Sequence, residues 1–386
     1  MVYCPNPKCK QRQNPATAEI CQSCETPLTL NQNYRLIRPL VNLERSGNTE
    51  VFEIEDLRCA NQPEPKPKVM KLLKYNGGDL ERLFKQEANY LQGLDHPAIP
   101  KIDRLDFAEN GFFSFVAPLT NRKVHYFVME KVEGDNLRDW MQQHSPMDNS
   151  TLLKWLRELL TILDYLHTQN IWHRDIKPSN IMLQPDGQLV LIDFGAVKQI
   201  RPHREEAGDI PPRPDITVTD TCVFAAGYTP PEQMDGRTVQ QSDFFALGRS
   251  CVHLLTQIPP YNLRVDDGGQ LVWREKVPDI SVVLADWIDQ LMSPLVRDRP
   301  QSAAEVLSHI QSENILPPPQ TQDSSEGEVS SGSSPWGSLL NLILFSILLI
   351  SGLLWWQAHE NSQPIQDTNQ QVQHPLPSLR LGRGIE

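Results

Sequence analysis

Apolar residues recur at helical spacing in two stretches of the chain. In "STLLKWLRELLTILDYLHTQN", Leu152, Leu156, Leu159, Leu163 and Leu166 fall three or four residues apart, which predicts a helix with one face in a core. In "GDLERLFKQEANYLQGL", Leu80, Leu83, Phe84, Leu91 and Leu94 share a second such face. Glu87 stands four residues after Leu83 and four before Leu91, so it lies on that apolar face too. A carboxylate turned inward needs a cation. The aliphatic run just upstream, "PKVMKLLK", reads as a strand and offers Lys71. The alternative is a solvated Glu87 at the edge of the stripe. From residue 34 to about residue 310, strand-like and helix-like patterns alternate, and this stretch forms the bulk of the protein.

Outside it the pattern changes. Residues 1–30 form a small cysteine-bearing module. Residues 311–338 are rich in Pro, Ser, Gly and acid, a composition that cannot bury enough surface to fold, and predict a disordered linker. Residues 339–356, "LLNLILFSILLISGLLWW", carry no charge. As a helix they would span about 27 Å, close to a hydrocarbon core of about 30 Å. Trp336, Trp355 and Trp356 bracket the run, as interfacial aromatics do. A buried soluble helix is the alternative, and an uncharged run has no polar face to show to water. One transmembrane helix is therefore expected, followed by a polar tail over residues 357–386. Lys and Arg are absent for about twenty residues on either side, so loop charge gives no orientation.

The 386 residues allow two or three domains, and the net charge of −12 argues against bulk nucleic-acid binding. No apolar stretch follows Met1, so no secretory signal is expected. Cysteines in a chain that starts in the cytosol more often bind metal or stay reduced than form disulfides. Four of the seven fall early: Cys4, Cys9, Cys21 and Cys24. Two close thiolate pairs can wrap one tetrahedral Zn²⁺, and metal would supply folding free energy that a thirty-residue core cannot. Two disulfides or free thiols are the alternatives. Four thiolates leave no open coordination position, so such a zinc is structural. Residues 1–33 carry three basic and two acidic side chains, too neutral to suggest nucleic acid.

The stretch "IWHRDIKPSNIMLQPDGQLVLIDFG", residues 171–195, places Asp175, Asn180 and Asp193 among Ile176, Ile181, Leu189, Leu191 and Ile192. Carboxylates in apolar surroundings are costly unless a cation or hydrogen bonds compensate them. A metal ion, or a site where charge moves, would justify that cost. "HRDIKPSN" followed by "DFG" resembles the catalytic loop and metal-binding turn of eukaryotic-type protein kinases. With the cysteine module, the chain is similar to the four-cysteine Ser/Thr kinases of cyanobacteria.

The resemblance covers residues 34 to about 310. It implies an α+β, two-lobed protein-kinase fold: a small sheet with one helix, then a larger helical lobe. Here an N-terminal zinc ribbon and a C-terminal transmembrane helix would be added. It implies ATP as donor, protein Ser/Thr hydroxyls as acceptors, and Mg²⁺ (or Mn²⁺) as cofactor. Asp175 would accept the substrate proton, Lys177 would neutralise the γ-phosphate, and Asn180 and Asp193 would hold the metal. Lys71 would be the ATP lysine, paired with Glu87. In "YFVMEKVEGDNL", backbone groups of Glu130 and Val132 would meet adenine, with Met129 behind them. Glu232 and Arg299 would tie the activation segment to the large lobe, and Asp243 would steady the catalytic-loop backbone. Arg174 precedes Asp175 at the position that pairs a loop phosphate, with Thr217, Thr219 and Thr221 as candidate sites. Because ATP is cytosolic, ribbon and kinase would face the cytoplasm.

Two features depart from the family pattern. The loop over the phosphates usually reads G-x-G-x-x-G-x-V, whereas "LVNLERSGNTEVFEIED" has one glycine, Gly47. With Val51 as the final Val, Glu44, Ser46 and Thr49 hold the glycine positions. Ala225 stands where the family has a Thr whose hydroxyl bridges the Asp and Lys, so a less rigidly held Asp175 is expected. Two readings are open. One is an active, slow Ser/Thr kinase, favoured by intact Lys71, Glu87, Asp175, Asn180 and Asp193. The other is a pseudokinase scaffold, favoured by the glycine-poor loop and Ala225.

Overall fold

The computed structural model describes residues 1–312 except 45, 61, 64, 76, 104–111, 120 and 200–224. Thr217, Thr219 and Thr221, the linker beyond Ser312, the apolar run 339–356 and the tail lie outside the described residues. No helix among the described residues is long and apolar enough to cross a membrane.

One antiparallel sheet runs through both the cysteine module and the first lobe. Its strands are β1 (Val2–Tyr3), β2 (Gln13–Asn14), β3 (Thr29–Leu30), β4 (Tyr34–Pro39), β5 (Thr49–Asp56), β6 (Lys68–Leu73), β7 (Phe113–Ala117) and β8 (Arg122–Glu130). The order is β2-β1-β4-β5-β6-β8-β7, and β3 also pairs with β4. Tyr3 pairs with Leu36, and Leu30 with Tyr34, so the module is built onto the sheet edge. Alternation of side chains separates two faces. Phe52, Met70, Leu72, Val124, Tyr126 and Val128 pack on one. Leu73 and Phe127 pack on the other, against helix α1 (Gly78–Gly93), which buries Phe84, Ala88 and Leu91 there. Lys71 belongs to this second face, in register with Val51 and Phe127.

The second lobe begins with β9 (Asp135–Asn136), α2 (Leu137–Met141) and α3 (Asn149–Thr168). Asp148 caps α3 by accepting from the Ser150 and Thr151 amides, and Leu152, Leu156, Leu159, Leu163 and Leu166 are buried. Short strands β10 (Ile171–Trp172), β11 (Ile181–Leu183), β12 (Leu189–Leu191) and β13 (Lys198–Gln199) bracket the polar loops between them. Then come α4 (Pro231–Met234), α5 (Gln241–Thr256), α6 (Val282–Leu291) and α7 (Ala303–Ser312). Helix α5 is buried from Ser242 to Val252, so it is the post around which the lobe packs. Gly248 permits this: a Cβ there would lie 3.1 Å from the Ile288 carbonyl oxygen of α6. Helix α7 runs two residues into the segment read as linker. Ile310 is buried and Arg157 donates to its carbonyl (2.6 Å), so packing on α3 holds that turn.

Candidate active site

Strand β6, helix α1 and the turn after β12 bring three distant charges together. Lys71 Nζ donates to Glu87 Oε1 (2.7 Å) and to Asp193 Oδ1 (2.8 Å). Lys71 and Glu87 are both buried. Burial alone would push the lysine down, but Asp193 and Glu87 hold it above its ordinary value. Burial raises Glu87 despite Lys71, whereas the Lys71 ammonium holds Asp193 down at about 2. Removing Lys71 would leave Glu87 as an uncompensated buried charge. Asp193 adopts a left-handed backbone (φ 63°), followed by buried Phe194, whose ring meets that of His173 at 5.0 Å. A Cβ at Gly195 would lie 3.4 Å from carboxylate oxygens of both Asp193 and Glu87, an ordinary van der Waals contact.

The loop after β10 supplies the second half. Lys177 Nζ donates to both Asp175 carboxylate oxygens (2.9 and 2.7 Å), and Asn180 Nδ2 donates to Asp175 Oδ2 (2.9 Å). Burial raises the Asp175 carboxyl above its ordinary range, against the pull of Lys177. Ala225 offers this carboxylate no hydroxyl. Direct contacts within residues 175–180 hold it, and Ala225 instead bonds through its backbone to the Thr229 hydroxyl.

Behind this loop, fully buried Asp243 accepts the amides of His173 (2.9 Å) and Arg174 (2.7 Å) and meets His167 Nε2 at 2.9 Å. These bonds hold a backbone that turns left-handed at Arg174 (φ 68°). Arg174 is buried, and its Nε and one terminal nitrogen have no hydrogen-bond partner among the described residues. Further back, Arg299 donates to both Glu232 oxygens (2.7 and 3.1 Å) with its side chain fully enclosed.

Above the cleft, Val51 of β5 pairs with Lys71. A Cβ at Gly47 would meet nothing within 4 Å, so this position has space for a side chain. Lys74, missed in the sequence, organises the loop. Its Nζ donates to the carbonyls of Leu43 (2.8 Å) and Ser46 (3.2 Å) and to the Ser46 hydroxyl (3.2 Å). At the far end of β8, Met129 packs on the main core, the Glu130 amide donates to the Lys101 carbonyl, and Val132 lies two residues further, in the loop to the second lobe.

A separate cluster lies in the N-terminal module. Cys4 and Cys24 sulfurs are 3.5 Å apart and those of Cys9 and Cys21 3.6 Å, with all four within 4.8 Å of one another. Tetrahedral thiolates about 2.3 Å from Zn²⁺ would be about 3.8 Å apart, so the donor set fits that ion. Asn6 and Asn14 each point Nδ2 at a cysteine sulfur (3.6 Å). Arg12 ties the module to β5, donating to Glu50 (2.8 Å) and to the Cys4 carbonyl (2.9 Å).

The family model for the protein kinase domain matches residues 57–314. Serine/threonine-protein kinase B of Synechocystis sp. is 32% identical over 320 residues, 81% of this chain and 52% of that protein. Serine/threonine-protein kinase PknA of Nostoc sp. is 33% identical over 300 residues, 75% of this chain and 49% of that one. Serine/threonine-protein kinase C of Synechocystis sp. is 32% identical over 297 residues, 74% and 51% respectively. The chain thus spans about half the length of the curated relatives it matches. A two-lobed architecture, a buried Lys71–Glu87 pair that also reaches Asp193 and a family match over two thirds of the residues agree: the chain belongs to the protein kinase family.

Proposed function

We propose that the protein is a serine/threonine protein kinase that moves the γ-phosphoryl group of ATP to hydroxyls of protein substrates. The observation that carries this reading is Lys71 held between Glu87 and Asp193. That arrangement fixes a cation where phosphate oxygens need one, in a site that also holds the raised carboxyl of Asp175. The substrate hydroxyl gives its proton to Asp175 as its oxygen bonds to phosphorus, and the bond to the departing diphosphate breaks. Lys177 keeps Asp175 oriented and supplies positive charge beside the transferred group. Asp193 and the Asn180 amide oxygen offer hard ligands for Mg²⁺ (or Mn²⁺), which would offset phosphate charge. Glu130 and Val132 backbone groups would meet adenine beside Met129, under a loop shaped by Lys74 rather than by glycines. The test is incorporation of labelled phosphate from ATP into the full chain and into added protein, with Asp175→Asn assayed alongside.

Control of this activity is read from Arg174. Its unpaired nitrogens are suited to a phosphothreonine at Thr217, Thr219 or Thr221, which would add charge-assisted bonds. Full activity of the triple alanine variant would rule these sites out.

The cysteine cluster supports a structural zinc. Metal analysis should find about one Zn²⁺ per chain, by the four-ligand rule. Changing Cys21 and Cys24 to Ser should release it while residues beyond 57 stay folded. A chelator-free, reduced preparation without zinc would end this assignment.

The apolar run 339–356 supports a single membrane anchor, with kinase and ribbon on the cytoplasmic side. Full-length protein should pellet with membranes through an alkaline carbonate wash, and a chain ending at Leu316 should not. Full-length protein in the soluble fraction without detergent would exclude the span.

A further inference from the structure

A cavity of about 500 Å³ opens beside Lys177, the partner of Asp175, within the range of about 300–1,000 Å³ typical of ligand pockets. Lys177 and Ser179 of the catalytic loop form one wall, and Arg138 of α2 stands at another. Tyr228, His253 and Tyr261 close it from the second lobe. Among the described residues lining it, none carries a carboxylate.

We infer that this cavity selects protein substrates with an acidic side chain near the phosphoacceptor and rejects those with arginine or lysine there. The inference deepens the kinase reading and rests on it for the place of the acceptor hydroxyl.

The charges decide the sign. Lys177 is committed to Asp175, on both of its oxygens. Arg138 has a looser tie: its side chain is 60% exposed, and its Nε meets Asp139 at 3.2 Å, a surface pair worth little. Its planar fork can therefore turn to a substrate carboxylate. His253 adds no negative charge. Burial pushes its pKa down, and the Tyr228 hydroxyl lies against its Nδ1, an arrangement suited to a neutral ring accepting that proton. A substrate arginine entering here would lose water without meeting a counter-charge among the described lining residues, and it would face Arg138. The chain's net charge of −12 opposes acidic peptides at long range. Salt screens that term over about 8 Å, whereas contacts inside the cavity are screened less.

The test uses the purified full chain in detergent and fluorescent peptides with one serine, carrying Asp, Ala or Arg at each flanking position in turn. Binding is read by anisotropy and phosphorylation by label from ATP. Asp at one or more positions should improve binding and kcat/KM over Arg by about tenfold, the ratio expected when one partly exposed attraction replaces one repulsion. Arg138→Glu, an exposed change that leaves the core intact, should bring that ratio to one or reverse it. Arginine peptides that bind wild type equally or better would overturn the inference, as would no binding by any peptide at saturating concentration. If Asp peptides bind better but none is phosphorylated, the kinase reading falls and the cavity's preference stands.

Discussion

Asp175→Asn is expected to cut phosphoryl transfer by about 10²–10⁴-fold, the usual worth of a positioned general base. The change keeps the shape of the side chain. It removes the group proposed to take the hydroxyl proton, while Lys71, Asn180 and Asp193 keep their places. ATP affinity should therefore stay near that of wild type, measured by titration with a fluorescent nucleotide. Acid should mimic the variant. Burial raises the Asp175 carboxyl, so the base form is lost as pH falls through a pKa above the ordinary carboxylate range. The acid limb of kcat should lie correspondingly high. Lys177→Ala should move it higher still, because Lys177 pulls that pKa down. Equal, substantial incorporation by wild type and Asp175→Asn would remove Asp175 from the chemistry. Equal incorporation at background, with Mg²⁺ or Mn²⁺, would favour the scaffold reading.

The second large effect is on stability. Arg299→Ala should cost about 3–5 kcal/mol, the range for breaking a buried ion pair from one side. Arg299 is enclosed and donates to both oxygens of Glu232 and to the carbonyls of Ser293, Pro294 and Gln241. Its removal leaves a largely buried carboxylate and three carbonyls without their donor. Against a typical domain stability of about 5–15 kcal/mol, that is about a fifth or more of the total. Adding Glu232→Gln should recover part of the loss, since no bare charge then remains. Arg237→Ala provides the contrast. Arg237 also pairs with a carboxylate, Asp235, but its side chain is 77% exposed, so the loss should stay below about 1 kcal/mol. Urea unfolding of the three proteins decides the matter. An Arg299→Ala loss no larger than that of Arg237→Ala would show the pair to be dispensable.

Much of the fold was legible from residue order. The leucines of α3 and the apolar face of α1 follow from a 3.6-residue period, which a chain encodes locally. Glu87 could be placed on the inner face of α1 for the same reason. Asp175, Lys177 and Asn180 lie within six residues, so one short loop presents them together. Asp193 lies within the same hairpin-bearing stretch.

Tertiary structure alone decided the rest. That Lys74 would hold the carbonyls of Leu43 and Ser46 depends on bonds across about thirty residues, and nothing in the residues around the end of β6 marks it. The cysteine module could be read as a metal site from its spacing, but not as the edge of the main sheet. Tyr3 pairing with Leu36 and Arg12 reaching Glu50 are long-range choices that local periodicity does not encode. The looseness expected from Ala225 rested on one missing hydroxyl. Sequence could not show that Lys177 and Asn180 reach the same carboxylate directly, because that depends on how the loop is folded over Asp243. Likewise, a cavity with no carboxylate among its described lining residues draws on α2, the loop after β10, α5 and the segments around them. Residue order determines which side chains seek the interior and which short loops carry charge. Only the packed chain determines which distant charges meet, since each such contact is the outcome of the whole core closing around it.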